Sequence, residues 1–215
     1  MDPQIIDRIK LALQGELPGE AAHGRMMSYN RPIAKEARQL DVPPRESAVM
    51  CLLFPENDEL CTLFMLRPDN QGVHSGQLSF PGGKKEASDL THLHTALRET
   101  EEEIGFDSST IQILGALSEL YIPPSNFLVQ PYIGYLASLP ELNPNADEVK
   151  DIISFPLEKL FSPETIGHKE ITLAHNQLKL KVPVFMVNDY ALWGATAMMV
   201  AELKMILEEN NITLR

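Results

Sequence analysis

The chain has 215 residues, 44% of them apolar and 22% charged, with a formal net charge of −12. A chain of this length can bury enough surface to fold as one ordinary domain without disulfide or metal staples. So large an acidic excess argues against a nucleic-acid backbone or an anionic membrane as the main partner, and an anionic small molecule would need local basic residues, or a metal, to approach.

The opening "MDPQIIDRIKLALQGELPGE" lacks a basic segment followed by an apolar run, so no signal peptide is expected, and no apolar stretch is long enough to cross a bilayer. Within it, Ile5, Ile6, Ile9, Leu11 and Leu13 fall mostly at helical spacing before Gly15, which predicts a short helix. Residues 24–47 carry Pro32, Pro43 and Pro44 and read as an irregular, mildly basic connector. "SAVMCLLF" and "LCTLFMLR" flank "PENDE", a hairpin or meander signal. They contain both cysteines, Cys51 and Cys61, expected as buried thiols in a cytoplasmic protein. Gly72, Gly76, Pro81, Gly82 and Gly83 mark a loop-rich stretch interrupted by the apolar "QLSF".

A helix is expected from about Asp89 to Ile104, with Ser88 or Asp89 as N-cap and Gly105 as its stop. "TIQILGALSELYI" and "FLVQPYIGYL" predict two strands joined at "PPSN", with Pro131 at an edge or a bulge. "PLEKLF" predicts a short helix, and "EITLAHNQLKLKVPVFMV" one or two strands. "ALWGATAMMVAELKMILEEN" predicts a closing amphipathic helix in which Met198, Met199 and Met205 fill the core and Trp193 anchors the start. Strands with helices before, within and after them predict an α/β/α or α+β layered domain.

The Asp89–Ile104 segment carries the chemistry. On a helical wheel Leu90, Leu93, Leu97 and Ile104 form one stripe, with Thr100 beside it, expected to be buried. Glu99, Glu102 and Glu103 fall together on the opposite side, and Arg98 lies between the two. Like charges at i,i+4 cost about 0.2–0.5 kcal/mol per pair, and glutamates near a helix C-terminus oppose the macrodipole by roughly 0.3–1 kcal/mol each. A merely solvated face would mix in lysines, so a positive group is expected to compensate. Convergent carboxylates are hard oxygen ligands that suit Mg²⁺ or Mn²⁺ rather than zinc. The residues alone therefore point to a divalent-cation site between a glycine turn and a helix, serving a phosphate ester or anhydride.

Gly82-Gly83 followed by "RETEEEIGF" resembles the signature of the Nudix hydrolases. That signature reads Gly, five residues, Glu, seven residues, then Arg-Glu-apolar-any-Glu-Glu-any-Gly-apolar. Arg98, Glu99, Glu102, Glu103, Gly105 and Phe106 hold their places. Asp89 stands where the first Glu is expected, one residue further from Arg98 than the pattern has it, and Thr100 replaces the apolar residue. The resemblance implies a Nudix-type α/β/α sandwich with a mixed sheet over residues 45–215, preceded by an N-terminal helical extension over residues 1–44. It further implies Mg²⁺- or Mn²⁺-dependent hydrolysis of a nucleoside diphosphate derivative, with metal held by Glu99, Glu102, Glu103 and the Gly83 carbonyl. Arg98 would orient a glutamate, the general base would be Glu99 or a downstream acid such as Glu148, and a homodimer is a family-level expectation.

Upstream, "LFMLRPDNQGVHSGQLSFPGG" is similar to the segment that marks the coenzyme A pyrophosphatase branch. Leu63, Arg67, Gly76, Phe80, Pro81, Gly82 and Gly83 match, as do "YIPPSNFLVQPYIGYL" and "LWGATA" in character. Gly72 replaces the second arginine, Met65 a threonine and Pro68 a small residue, which removes one bidentate phosphate grip. Arg67, with Arg45, Lys84 or Lys85 in place of the missing one, and His74 in the glycine loop, are the residues expected to meet the substrate. His92 and His94 read as structural or exposed. Alternative substrates are ADP-ribose, dinucleotides and modified nucleotides. An isoprenyl diphosphate isomerase, which needs a protonating residue such as cysteine near the metal, and a binding domain without chemistry are the competing classes.

Overall fold

The computed structural model describes residues 4–69, 76–172 and 178–214. Helix α1 (Ile5–Ala12) is followed by two single-turn helices, α2 (Glu20–His23) and α3 (Ala34–Ala37), in an otherwise irregular connector. Strands β1 (Arg45–Glu56) and β2 (Glu59–Leu66) form the expected antiparallel hairpin. Asn57 and Asp58 both take positive φ, which matches the right-handed twist of the strands they join. The short strands β3 (Leu78–Ser79) and β4 (Gly82–Lys84) precede helix α4 (His92–Ile104). Then come β5 (Gln112–Ala116), β6 (Leu120–Ile122), β7 (Phe127–Tyr135), β8 (Asp151–Pro156), α5 (Leu157–Leu160), β9 (Ile166–Thr172), β10 (Lys179–Val187), β11 (Tyr190–Leu192) and α6 (Gly194–Glu209).

The main sheet runs β3-β2-β1-β7-β5, with β4 also on β1, β6 on β7 and β8 on β2. It is mixed, because β1 and β7 are parallel while β1 meets β2 and β4 antiparallel. Strands β9, β10 and β11 form a separate antiparallel sheet. Strand β1 reads as a continuous apolar run because both of its faces are covered. Ala48, Met50, Leu52 and Phe54 pack with Ala96 and Ile104 of α4, while Cys51 and Leu53 face the core that holds α1 and α6. The fold is thus an α/β/α sandwich. Ile5, Ile6 and Ile9 lie in that second core beside Met198, Leu203 and Ile206.

Three expectations change. Helix α4 starts at Thr91, whose side chain accepts from the His94 N–H, so Leu90 lies outside the helix and is 82% exposed instead of buried. Pro131 sits in β7, an interior strand rather than an edge. It is tolerated there because β5 ends opposite Tyr132 and β6 begins opposite Val129, leaving a break in the neighbouring ladder. Helix α6 is not amphipathic: from Ala197 to Leu207 every residue but Lys204 is buried, since α1 and α2 cover the side that the sheet does not. Strands β4 and β8 had no periodic signal, β4 being little more than a glycine pair. In the β9–β10 stretch, residues 173–177 lie outside the described residues.

Candidate active site

The site lies where α4 crosses β4. Strand β4 pairs with β1 so closely that a Cβ at Gly82 would stand 2.3 Å from the Ala48 carbonyl oxygen. A Cβ at Gly83 would stand 2.4 Å from the Glu99 carboxylate. The two glycines are therefore where helix and sheet approach, and the second leaves room for a carboxylate against the strand.

Arg98 organises the helix. Its Nε and one terminal nitrogen donate to Asp89 Oδ1 and Oδ2 at 3.1 and 3.0 Å. It also contacts Glu99 Oε1 at 2.9 Å, Glu102 Oε2 at 2.8 Å and the Lys84 carbonyl at 3.2 Å. Asp89 is buried and accepts further from the Glu86 N–H at 2.9 Å and the Thr95 hydroxyl at 3.0 Å. The hydrogen bonds from Arg98 hold the Asp89 carboxyl well below the usual carboxylate range, and Asp89 in turn holds the guanidinium above its usual value. Asp89, read from sequence as a helix cap, is instead the anchor of Arg98. The signal was its place in the acidic position of the signature, masked by a one-residue shift.

The three glutamates are not on one exposed face. Glu103 is only 3% exposed and accepts from the Gly82 N–H at 2.7 Å, with Arg67 3.8 Å from its other oxygen. Burial pushes its carboxyl up to about 7, against the pull of Arg67 and the Gly82 N–H. Glu99 is half-buried and also raised, first by burial, with Arg98 opposing and the charges of Glu102 and Glu148 adding. Glu102 is exposed and turns to Arg98. The wheel misplaced Glu103 because the helix lies against β4 as well as β1, so its buried arc is wider than the leucine stripe.

Glu99 and Glu103 line a cavity of about 910 Å³, together with Arg67, Gly83, Lys84 and Glu148, but without Glu102 or Arg45. The loop that carries Glu148 is tied to the end of α4: Asn143 and Asn145 donate their N–H groups to the Ile104 and Glu103 carbonyls, both at 3.0 Å. Arg67 donates from Nε to Ser79 Oγ at 3.2 Å. Arg45 donates to the Ser125 carbonyl at 2.6 Å and stacks 4.1 Å over the Phe127 ring, a wall of the cavity. His74 and Gly72 lie outside the described residues. Trp193, Met198 and Met199 line the cavity too, as do Ser28, Tyr29 and Arg31 from the connector, which the sequence had marked only as mildly basic. Neither cysteine lines it, and burial pushes the Cys51 thiol up to about 12, so neither supplies the acid an isomerase needs.

Among the described residues, no three His, Cys, Asp or Glu side chains already stand as a cation cage. The donor chemistry nonetheless fits one. Burial first, and then the charge of Glu148, raise the affinity of Glu99 and Glu103 for protons, and all three carboxylates offer hard oxygens to one cavity.

One acidic helix thus lies against a mixed sheet, with carboxylates, Arg67 and Lys84 opening on a single cavity. Residues 44–175 match the NUDIX domain family. The mitochondrial coenzyme A diphosphatase of Homo sapiens is 31% identical over 169 residues, covering 78% of this chain and 71% of that protein. The peroxisomal coenzyme A diphosphatase of Mus musculus is 30% identical, covering 76% and 71%. A Nudix hydrolase of Pectobacterium atrosepticum is 30% identical, covering 63% and 69%. The chain belongs to the Nudix family and is a Nudix pyrophosphatase.

Proposed function

We propose that the chain hydrolyses the diphosphate linkage of coenzyme A or its thioesters, releasing adenosine 3′,5′-bisphosphate and 4′-phosphopantetheine. The observation that carries this reading is the sequence identity, spread over three quarters of the chain, to proteins named for that reaction. The cavity of about 910 Å³ is at the upper end of small-molecule sites, as a long bipartite substrate requires.

In this reading Arg98, fixed by Asp89, positions Glu99 and Glu102, and the Gly82 N–H positions Glu103. Mg²⁺ or Mn²⁺ would be held by Glu99, Glu103, Glu102 and the Gly83 carbonyl, with Glu148 nearby, and supplies a more acidic water and neutralisation of phosphate charge. Glu99 or Glu148 takes the proton from the attacking water. Arg67 and Lys84 hold phosphate oxygens, and Arg45 braces Phe127 from outside. We place the chain in the cytoplasm on its two free, buried cysteines, although the mammalian relatives are named for mitochondria and peroxisomes; cell fractionation tests this. None of the described helices is long and apolar enough to cross a membrane.

Purified protein with Mg²⁺ or Mn²⁺, offered coenzyme A, ADP-ribose and NADH with products resolved, should release adenosine 3′,5′-bisphosphate from coenzyme A. Faster cleavage of ADP-ribose would overturn the substrate and keep the reaction class.

A further inference from the structure

We propose that Arg31, with the hydroxyls of Ser28 and Ser125, forms a second anion subsite in this cavity, which takes a phosphate monoester carried by the substrate away from the scissile diphosphate. This rests on reading the cavity as the site of a nucleoside diphosphate derivative.

Three polar groups that line this cavity lack what they need. Arg31 is largely withdrawn from water, yet its one hydrogen-bond contact is the sulfur of Met198, a weak acceptor. Every other arginine among the described residues meets a carboxylate or a backbone carbonyl: Arg8 the Asn211 carbonyl, Arg25 Glu208, Arg38 Glu119, Arg45 the Ser125 carbonyl, Arg67 Glu103, and Arg98 its acids. The Ser28 and Ser125 hydroxyl oxygens are buried with no hydrogen-bond partner. Buried polar groups are normally paired, and such orphans gathered in one cavity call for a ligand. Two hydroxyls and a guanidinium are donors in need of acceptors, and a phosphate monoester offers three oxygens and about two negative charges to meet them.

Burial lowers the Arg31 guanidinium only to about 10, with Tyr29 partly opposing, so it stays cationic at neutral pH. The subsite is also set apart from the acids. Ser125 precedes β7, whose Phe127 pairs with Arg45 of β1, whereas Gly83 beside Glu99 pairs with Ala48. Three residues of strand put the two ends on the order of 10 Å apart, so one phosphate cannot serve both. A ligand that fills them carries a diphosphate at one end and a monoester at the other.

The test compares coenzyme A, which bears a 3′-phosphate, with dephospho-coenzyme A, which lacks it. Wild type should prefer coenzyme A. Arg31→Gln should raise the KM for coenzyme A about 10- to 100-fold more than that for dephospho-coenzyme A. Arg31→Lys should recover part of the preference, and Ser28→Ala or Ser125→Ala should each lose about 3- to 10-fold of it. Equal effects on the two substrates, or no preference in wild type, overturn the proposal. Calorimetric binding of adenosine 3′,5′-bisphosphate, without metal or turnover, supplies an independent readout. If wild type cleaves neither substrate, the reaction assignment falls and binding decides: at least tenfold weakening by Arg31→Gln supports the subsite, and equal binding overturns it.

Discussion

The substitution Asp89→Asn tests whether Arg98 is held from outside the acidic helix. Both Asp89 oxygens face donors: Oδ1 meets Arg98 Nε, while Oδ2 meets an Arg98 terminal nitrogen, the Glu86 N–H and the Thr95 hydroxyl. An asparagine must turn its NH₂ toward one of these sets, so it loses a charge-assisted pair and sets donor against donor. Charged hydrogen bonds of this kind contribute about 1.5–3 kcal/mol. For a chain of this size that corresponds to a fall in Tm of roughly 3–12 °C. Arg98 would keep Glu99 and Glu102 but lose its fixed end, so kcat should fall about tenfold or more while KM moves little. Thermal melts and steady-state kinetics of the two proteins measure both effects. A variant that melts within about 1 °C of wild type and keeps its kcat would show that Asp89 is a bystander.

Glycine contacts give two separable outcomes. Gly83→Ala drives a methyl into the Glu99 carboxylate and should reduce activity by about 100-fold with a small change in melting, whereas Gly82→Ala meets backbone and should cost several kcal/mol of stability, about 3 or more, by urea titration. Glu102→Gln touches a pair whose acid is half-exposed, so stability should shift by less than about 1 kcal/mol, while turnover should fall at least about 100-fold if Glu102 meets the cation. A chelator should abolish turnover, and added Mg²⁺ or Mn²⁺ should restore it in wild type. Glu202→Gln probes the joint between α6 and the N-terminal segment. The buried Glu202 contacts His23 at 3.0 Å and accepts the Ser118 N–H at 3.2 Å; burial pushes its carboxyl up, but those bonds outweigh it and leave it lowered. A lowered folded value stabilises above the unfolded one, about 4.3, and that stability is lost as pH falls through the folded value. Urea unfolding should show wild type more stable by about 1.5–3 kcal/mol at pH 7, with the gap closing below about pH 4.

What was legible in the sequence was what local chemistry controls. The "PENDE" turn and the Gly105 stop each depend on a few adjacent residues, and each appears where expected, with Gly105 in the left-handed region. Leu90, Pro131 and α6 were misread because their environments depend on distant segments: the true cap at Thr91, the break between β5 and β6, and the cover from α1 and α2. The candidate site divides in the same way. The acids of α4 and Arg98 are contiguous in the chain, whereas Asp89's grip and the placing of Ser28, Arg31 and Ser125 around one cavity come from tertiary folding.

The crowding of glutamates at the end of α4 now has a residue-by-residue account. Glu101 accepts the Ser108 N–H and hydroxyl, Glu102 and Glu99 share Arg98, and Glu103 takes the Gly82 N–H. The helix's last carbonyls, where the dipole would repel these acids most, accept from Gly105, Asn143 and Asn145, which disperses the negative end. What stays uncompensated faces the cavity, where Glu99, Glu103, Asp147 and Glu148 oppose Arg31, Arg67 and Lys84 among the described lining residues. Four acids against three bases cannot by themselves welcome a diphosphate. In the proposed reading a cation between the acids and the phosphates would reverse that sign, and Arg31, which meets no carboxylate among the described residues, would serve the other end of an anionic substrate. Electrostatics thus asks for metal at one end and arginine at the other, and exchanging Arg31 for a neutral residue should weaken anion binding even where the cation site is intact.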